Sequence, residues 1–180
     1  MKNRLNLKNK PLVALKIFAA AVLVGVLAIS LTACNRGGAS SPERAARNFI
    51  TAFASQNASR IAGVLGLEGD DYSNFIADWP SAPDRNEDRD AFEAFNRRQD
   101  MYKSVRLSQN DPVPHGTNAL SASVNATITF RFINNRGERV NGEETVVLHF
   151  TRSAVGSDWF SNRGNISAVQ NALPGSSGMI

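Results

Sequence analysis

The side chains with the clearest chemical potential lie between residues 71 and 79. Asp71 is followed directly by Tyr72, and Asp78 and Trp79 come shortly after them. A carboxylate in an apolar cavity can act as a general base, because burial brings its pKa toward neutrality, and a nearby phenol can act as a donor. Asp71, Tyr72 and Asp78 are therefore candidate catalytic residues for proton abstraction. The pattern favours the alternative, in which they are helix-cap and surface residues around a buried aromatic pair.

The remaining polar clusters predict no metal and no cofactor. The run from Asp84 to Asp90 has oxygen donors at alternate positions, as a calcium loop does, but Arg89 replaces the required glycine and Phe95 replaces the final acid. We interpret this run as a solvated segment leading into a helix. Two histidines and one cysteine cannot form a usual zinc site. His149 falls on the polar side of a strand, and His115 falls in a loop.

The N-terminal stretch has the pattern of an export signal. Five basic residues and no acidic residue precede an uncharged apolar run from Ile17 to Cys34, which ends on the only cysteine in the chain. The last four residues, Leu31-Thr32-Ala33-Cys34, resemble the bacterial lipoprotein signal. The resemblance implies that residues 1–33 are removed, that Cys34 is lipidated with diacylglycerol, and that the domain is anchored on the extracytoplasmic side of the cell membrane. The alternative is an uncleaved transmembrane helix, since 18 residues are near the minimum for a span.

Removal of this signal changes the charge balance of the chain. Of the 20 lysines and arginines, five precede Cys34, whereas all 16 acidic residues follow it, so the mature chain of 147 residues has a net charge of −1. This balance argues against nucleic acid as a partner. Lipidation of Cys34 leaves no thiol for a disulfide, so a domain of this size must be stabilised by its core alone. Residues 34–41 are expected to form the lipidated cysteine and a flexible tether.

The rest of the chain predicts helices followed by antiparallel strands. Helices are expected from Pro42, from Asn57 or Ser59, over 72–79 and over 91–102. Strands are expected over 104–107, 121–132, 143–151 and 159–169, the last interrupted by Asn162-Arg163-Gly164, with a loop over 109–118. The alternation over 121–132 is the strongest pattern, and its small members, Ala122 and Ala126, could leave space for a ligand or accept helix side chains, which we favour. This order is typical of the α+β class.

The segment SPERAARNFITAFASQNASRIAGVL resembles the opening of the nuclear-transport-factor-2-like superfamily. The resemblance implies an α+β cone over residues 42–170, in which N-terminal helices pack on a curved antiparallel sheet and leave a pocket, with a loose tail over 171–180. Our first hypothesis is a non-catalytic accessory domain that binds a small apolar ligand or an envelope protein. The alternatives are an isomerase- or cyclase-like enzyme using Asp71 or Asp78 as base and Tyr72 as donor, and a subunit of an envelope assembly.

Overall fold

A computed structural model describes residues 37–174 of the 180-residue chain. Within this range the fold is α+β, with five helices and one sheet of four antiparallel strands. The elements, in chain order, are α1 (Pro42–Ser55), α2 (Ala58–Val64), α3 (Gly69–Ala77), α4 (Arg89–Lys103), β1 (Arg106–Pro112), β2 (Ser121–Ile133), β3 (Arg139–Thr151), β4 (Phe160–Ser161) and α5 (Gly164–Ala172).

Helix α1 begins and ends at residues whose chemistry fits those positions. The Ser41 side chain accepts a hydrogen bond from the backbone N–H of Arg44, and Pro42 occupies the first turn. Gln56, in a left-handed conformation, ends the helix and donates its N–H to the carbonyl of Phe53. The predicted apolar face is buried, and Phe49 and Phe53 are fully covered.

The sheet is a meander in which each strand pairs with its neighbour in sequence. Strands β2 and β3 pair along their whole length, from Ser121 opposite Thr151 to Ile133 opposite Arg139. The predicted alternation on β2 is confirmed, since its even-numbered residues from 122 to 132 are buried. Phe130 faces Gly142 across the ladder, and a Cβ at Gly142 would collide with the Phe130 ring. The missing side chain of Gly142 therefore leaves the space that the ring occupies.

One continuous core joins the helices to the sheet. Ala122 and Ala126 are buried within it, as expected if helix side chains cover them, and the Phe53 ring lies 5.3 Å from the Tyr102 ring. The alternate side chains of β2 and β3 are mostly exposed, so the opposite face of these strands meets solvent. Full burial of an aromatic or aliphatic side chain contributes about 1.5–3 kcal/mol, and this core is sufficient to stabilise a domain without a disulfide.

The strand predicted over 159–169 is wrong beyond Ser161. Strand β4 contains only Phe160 and Ser161, and α5 follows. The Asn162 side chain accepts a hydrogen bond from the Gly164 N–H and forms a turn. The predicted loop over 109–118 also begins too early, because β1 continues to Pro112.

Both predicted domain boundaries need correction. Ala39 lies in the expected tether, but it is only 3 % exposed and exchanges two backbone hydrogen bonds with Trp159. Leu173 lies in the expected loose tail, but it is 2 % exposed and belongs to the core. The folded unit therefore extends over both predicted boundaries, 42 and 170, within the described residues.

The predicted export signal and lipidation site precede the described part of the chain. The signal peptide over 1–33 and the lipidated Cys34 lie outside the described residues, as do residues 175–180 of the tail. Between residues 37 and 174, no helix is long and apolar enough to cross a membrane.

Candidate functional site

Helix α3 carries the predicted acids on the protein surface. Asp71 and Asp78 are exposed, Tyr72 is half-buried, and none of the helix residues is fully buried. Asp71 lies in the first turn, where a negative charge is favourable beside the positive end of the helix dipole. Over residues 37–174, Ser161 and Asn165 are the buried polar residues, so no described carboxylate reaches an apolar cavity. The structure does not assemble the base and donor that proton abstraction requires.

An aromatic pair is formed by a residue of this helix and one just after it. Trp79 packs against Phe75, with ring centroids 5.3 Å apart, and the Arg163 guanidinium lies 5.4 Å from the Phe75 ring. Both aromatic side chains are partly buried against the core. This cluster joins α3 to the start of α5, which is a structural role.

The acidic run before α4 uses its side chains as turn and cap acceptors. Asp84 accepts from the Asn86 N–H, and Asp88 caps α4 by accepting from the Ala91 N–H at 2.8 Å. The hydrogen bond from Arg89 lowers the pKa of the exposed Glu93 carboxyl, as does the Arg89 charge. In the part of the chain that the structure describes, no group of three or more His, Cys, Asp or Glu residues could hold a metal ion.

His149 lies on the exposed face of the sheet, as predicted, and contacts a serine. Its Nδ1 is 2.9 Å from the Ser123 hydroxyl, and the two residues are directly opposite in the β2–β3 register. A serine beside a histidine can form a nucleophile and base. Here the contact has the geometry of an ordinary cross-strand pair on an open face, which explains it without catalysis.

A shallow groove of about 270 Å³ lies beside β1. The second half of α1 forms one wall, and the junction between α4 and β1 forms the other. Its lining residues are Ile50, Thr51, Ala54, Ser55, Lys103, Val105, Arg106 and Leu107. The volume is slightly below the usual range for small-molecule sites, and the groove is open to solvent.

The chemistry of this groove is aliphatic with a basic rim. Ile50 and Val105 are buried beneath it, Ala54 and Leu107 are half-buried, and Lys103 is exposed at the end of α4. The Arg106 guanidinium bonds to the carbonyls of Lys103 and Val105 at 2.6 and 2.7 Å, which satisfies two of its five donors. Such a surface suits an extended apolar group with a polar or anionic end. Sequence reasoning missed the groove, because its residues come from two helices and a strand and share no spacing.

A second cluster that the sequence did not reveal surrounds Trp159. This side chain is 3 % exposed, the Arg152 guanidinium lies 4.6 Å from its ring, and His115 contacts the ring edge-on at 5.7 Å. Arg152 also donates to the carbonyls of Thr117 and Ala119. These contacts fix the β1–β2 connection to the turn before β4.

Comparisons of the chain with protein-family models, with curated proteins and with solved structures found no match. The α+β class therefore comes from the structure itself, and the functional argument depends on the sequence signals and on the geometry above.

Proposed function

We propose that this protein is a lipoprotein of the bacterial cell envelope, anchored through Cys34, whose domain binds a ligand or partner on the extracytoplasmic side and has no catalytic role. The observation that carries the proposal is the segment Leu31-Thr32-Ala33-Cys34, which follows a basic segment and an apolar run. Two acyl chains give stable membrane attachment, whereas a single chain gives only marginal binding.

The folded domain is consistent with this location. Ala39, five residues after Cys34 in the sequence, is already in the core. An extracytoplasmic domain whose one cysteine is lipidated has no disulfide available, and the continuous core makes one unnecessary.

The non-catalytic role is supported by the use of the buried polar groups. The Asn165 side-chain amide donates to the Ser161 hydroxyl at 2.8 Å and to the His149 carbonyl at 2.7 Å, so both buried polar residues are engaged in structural hydrogen bonds. The acids of α3 are exposed to solvent and do not lie in an apolar cavity. The groove beside β1 supplies a binding surface without an adjacent reactive group.

We further propose that the domain is a variant of the nuclear-transport-factor-2-like cone. Two observations support this assignment. The domain begins with two capped helices, in the order implied by the opening segment, and its helices pack on one face of an antiparallel meander. Helix α5, in the place of the expected last strand, is the main departure. A crystal structure would test the proposal, because a flat sheet with no enclosed concave face would contradict it.

Metabolic labelling with a fatty-acid analogue tests the anchor. The wild-type protein should incorporate label and fractionate with membranes, whereas Cys34→Ser should be unlabelled. Asn35→Ser is a matched control, because it changes the adjacent residue and leaves the four-residue signal intact. Equal labelling of wild type and Cys34→Ser would reject lipidation at this site.

Photo-crosslinking in cells tests the binding role. A photoreactive amino acid at Thr51, on the groove wall, should give a specific adduct, because Thr51 is exposed beside the apolar lining. The same amino acid at Arg131, on the exposed face of β2, serves as the control. Identical adduct patterns at both positions, or none at either, would argue against the groove.

A further inference from the structure

The exposed apolar side chains of the domain are concentrated at one end of the sheet. Among the described residues, five large apolar side chains are exposed. Val113 and Leu120 lie in the connection between β1 and β2, and Val155 lies in the connection between β3 and β4, with exposed fractions of 38, 50 and 58 %. Because β2 begins where β1 and β3 end, both connections are at the same end of the sheet. Of the other two, Ile133 is at the opposite end and Val147 lies within β3.

This end is held in a defined conformation. The Arg152 side chain donates to two carbonyls of the β1–β2 connection, and its backbone N–H donates to the Leu120 carbonyl at 3.0 Å. The Val113 N–H donates to the Ser123 carbonyl at 2.9 Å. The backbone that carries the exposed valine and leucine side chains is therefore held by hydrogen bonds. Little backbone conformational entropy remains to be lost when these side chains contact a partner.

The chain also enters the fold at this end. Ala39 pairs with Trp159 through hydrogen bonds of 3.0 and 2.8 Å, which places the entering segment against the turn that carries Val155. A Cβ at Gly38 would lie within 2.5 Å of the Asp158 side chain, and a Cβ at Gly37 would collide with the Gly63 backbone. The two glycines thus allow the chain to pass close to the domain surface.

The covalent distance from this point to Cys34 is short. Three residue steps separate Cys34 from Gly37, and a fully extended chain covers at most about 11 Å over that length. An acylated Cys34 must have its acyl chains in the bilayer, so the surface around the point of entry is held close to the lipid headgroups. The far end of the sheet is about 40 Å away, given 13 residues of β2 at roughly 3.3 Å each.

We propose that the sheet end formed by Val113, Leu120, Val155 and the turn around Trp159, here called the anchor-side end, lies against the lipid bilayer and inserts its exposed apolar side chains among the headgroups. This inference depends on the proposed lipidation of Cys34. The occupant of the surface is the membrane itself, because Cys34 is at most about 11 Å from Gly37, and Gly38 and Ala39 lie against the turn at this end. The opposite end and the groove wall at Thr51 remain available to partners.

Fluorescence quenching in vesicles tests this orientation. The lipidated mature protein is reconstituted into vesicles of phosphatidylethanolamine and phosphatidylglycerol that contain a lipid with a nitroxide in its headgroup. Single-cysteine variants Leu120→Cys, Val155→Cys and Ile133→Cys are labelled with one fluorophore. The label is specific, because the chain has a single native cysteine and its thiol is acylated.

Strong quenching is expected at Leu120 and Val155, and none at Ile133, because about 40 Å lies outside the contact range of a headgroup nitroxide. All three side chains are exposed, and two independent positions at the anchor-side end keep the test valid if one substitution impairs folding. If the protein sediments with vesicles but the fluorophore is quenched equally at all positions, or only at Ile133, the proposed orientation alone is overturned. Protein that neither carries acyl chains nor sediments with vesicles would overturn the proposed anchor, and the orientation with it.

Discussion

Replacing Asn165 with alanine should be among the most destabilising changes of a polar residue in the domain. Asn165 is 1 % exposed, and its side chain bonds to the backbone of a neighbouring strand. Its Oδ1 accepts from the His149 N–H at 2.9 Å, and its Nδ2 donates to the His149 carbonyl at 2.7 Å and to the Ser161 hydroxyl at 2.8 Å. The amide therefore replaces the strand partner that β3 would otherwise have at this position.

The magnitude follows from the groups that lose their partners. The His149 carbonyl keeps the Asn162 N–H as a donor, at 2.9 Å, whereas the His149 N–H loses Asn165 Oδ1 as its acceptor. An unsatisfied buried donor costs about 1–3 kcal/mol, and each remaining hydrogen bond contributes about 1 kcal/mol. We expect Asn165→Ala to lower the free energy of unfolding by about 2–4 kcal/mol. For a domain of this size the melting temperature should fall by about 6–12 °C.

Urea unfolding of the soluble domain, followed by circular dichroism, measures this loss directly. Asn162→Ala is the matched control, because it removes an exposed asparagine of the same turn with a single bond, to the Gly164 N–H. The control should lose no more than about 1 kcal/mol. Equal stability losses in the two variants would refute the reasoning that the Asn165 amide completes the β3 ladder.

Three further predictions concern the core and the buried phenol of Tyr102. Burial raises the pKa of the Tyr102 phenol above that of an unfolded tyrosine. The unfolded state therefore ionises first as pH rises, and the free energy of unfolding should fall above the ordinary tyrosine pKa. Urea titrations above about pH 10 should show a steeper fall in this free energy for wild type than for Tyr102→Phe, and parallel curves would contradict this. Phe53→Ala should cost about 3–5 kcal/mol in the same assay, since the ring is fully buried against Tyr102, and a loss below about 1 kcal/mol would show that the site is not packed as described. Gly142→Val should cost about 1–3 kcal/mol because its side chain meets the Phe130 ring, and the cost should shrink when Phe130→Ala removes that ring; additive effects in the double variant would argue against the contact.

The parts of the fold predicted well are those determined by local chemistry. The start of α1 was readable because Ser41 and Pro42 provide a cap and a first-turn proline that suit helix initiation in any context. Strand β2 could be predicted because apolar and polar side chains alternate in a half-buried strand, and 12 residues with this alternation fit no other secondary structure.

The errors occurred where tertiary contacts decide the local structure. The segment after Ser161 has the apolar content of a strand, but the Asn162 turn ends β4 and the Asn165 side chain takes over its hydrogen bonds. Ala39 follows two glycines and has the composition of a linker, and only Trp159, 120 residues later, makes it part of the core. Neither contact leaves a pattern in the sequence near the residue concerned.

The candidate site was harder to predict than the fold. Asp71 and Asp78 drew attention because their types fit proton abstraction, but residue type does not reveal exposure, and both face water. Leu107 and Thr51 line one groove although 56 positions separate them, so no spacing rule could have joined them.

Mass spectrometry of the N-terminal peptide, from protein purified out of membranes, tests the central claim most directly. The lipoprotein account predicts a peptide that begins at Cys34 and carries the added mass of a diacylglyceryl group on its sulfur. An unmodified Cys34 within a chain that still begins at Met1 would contradict the account, together with the membrane-facing orientation that depends on it.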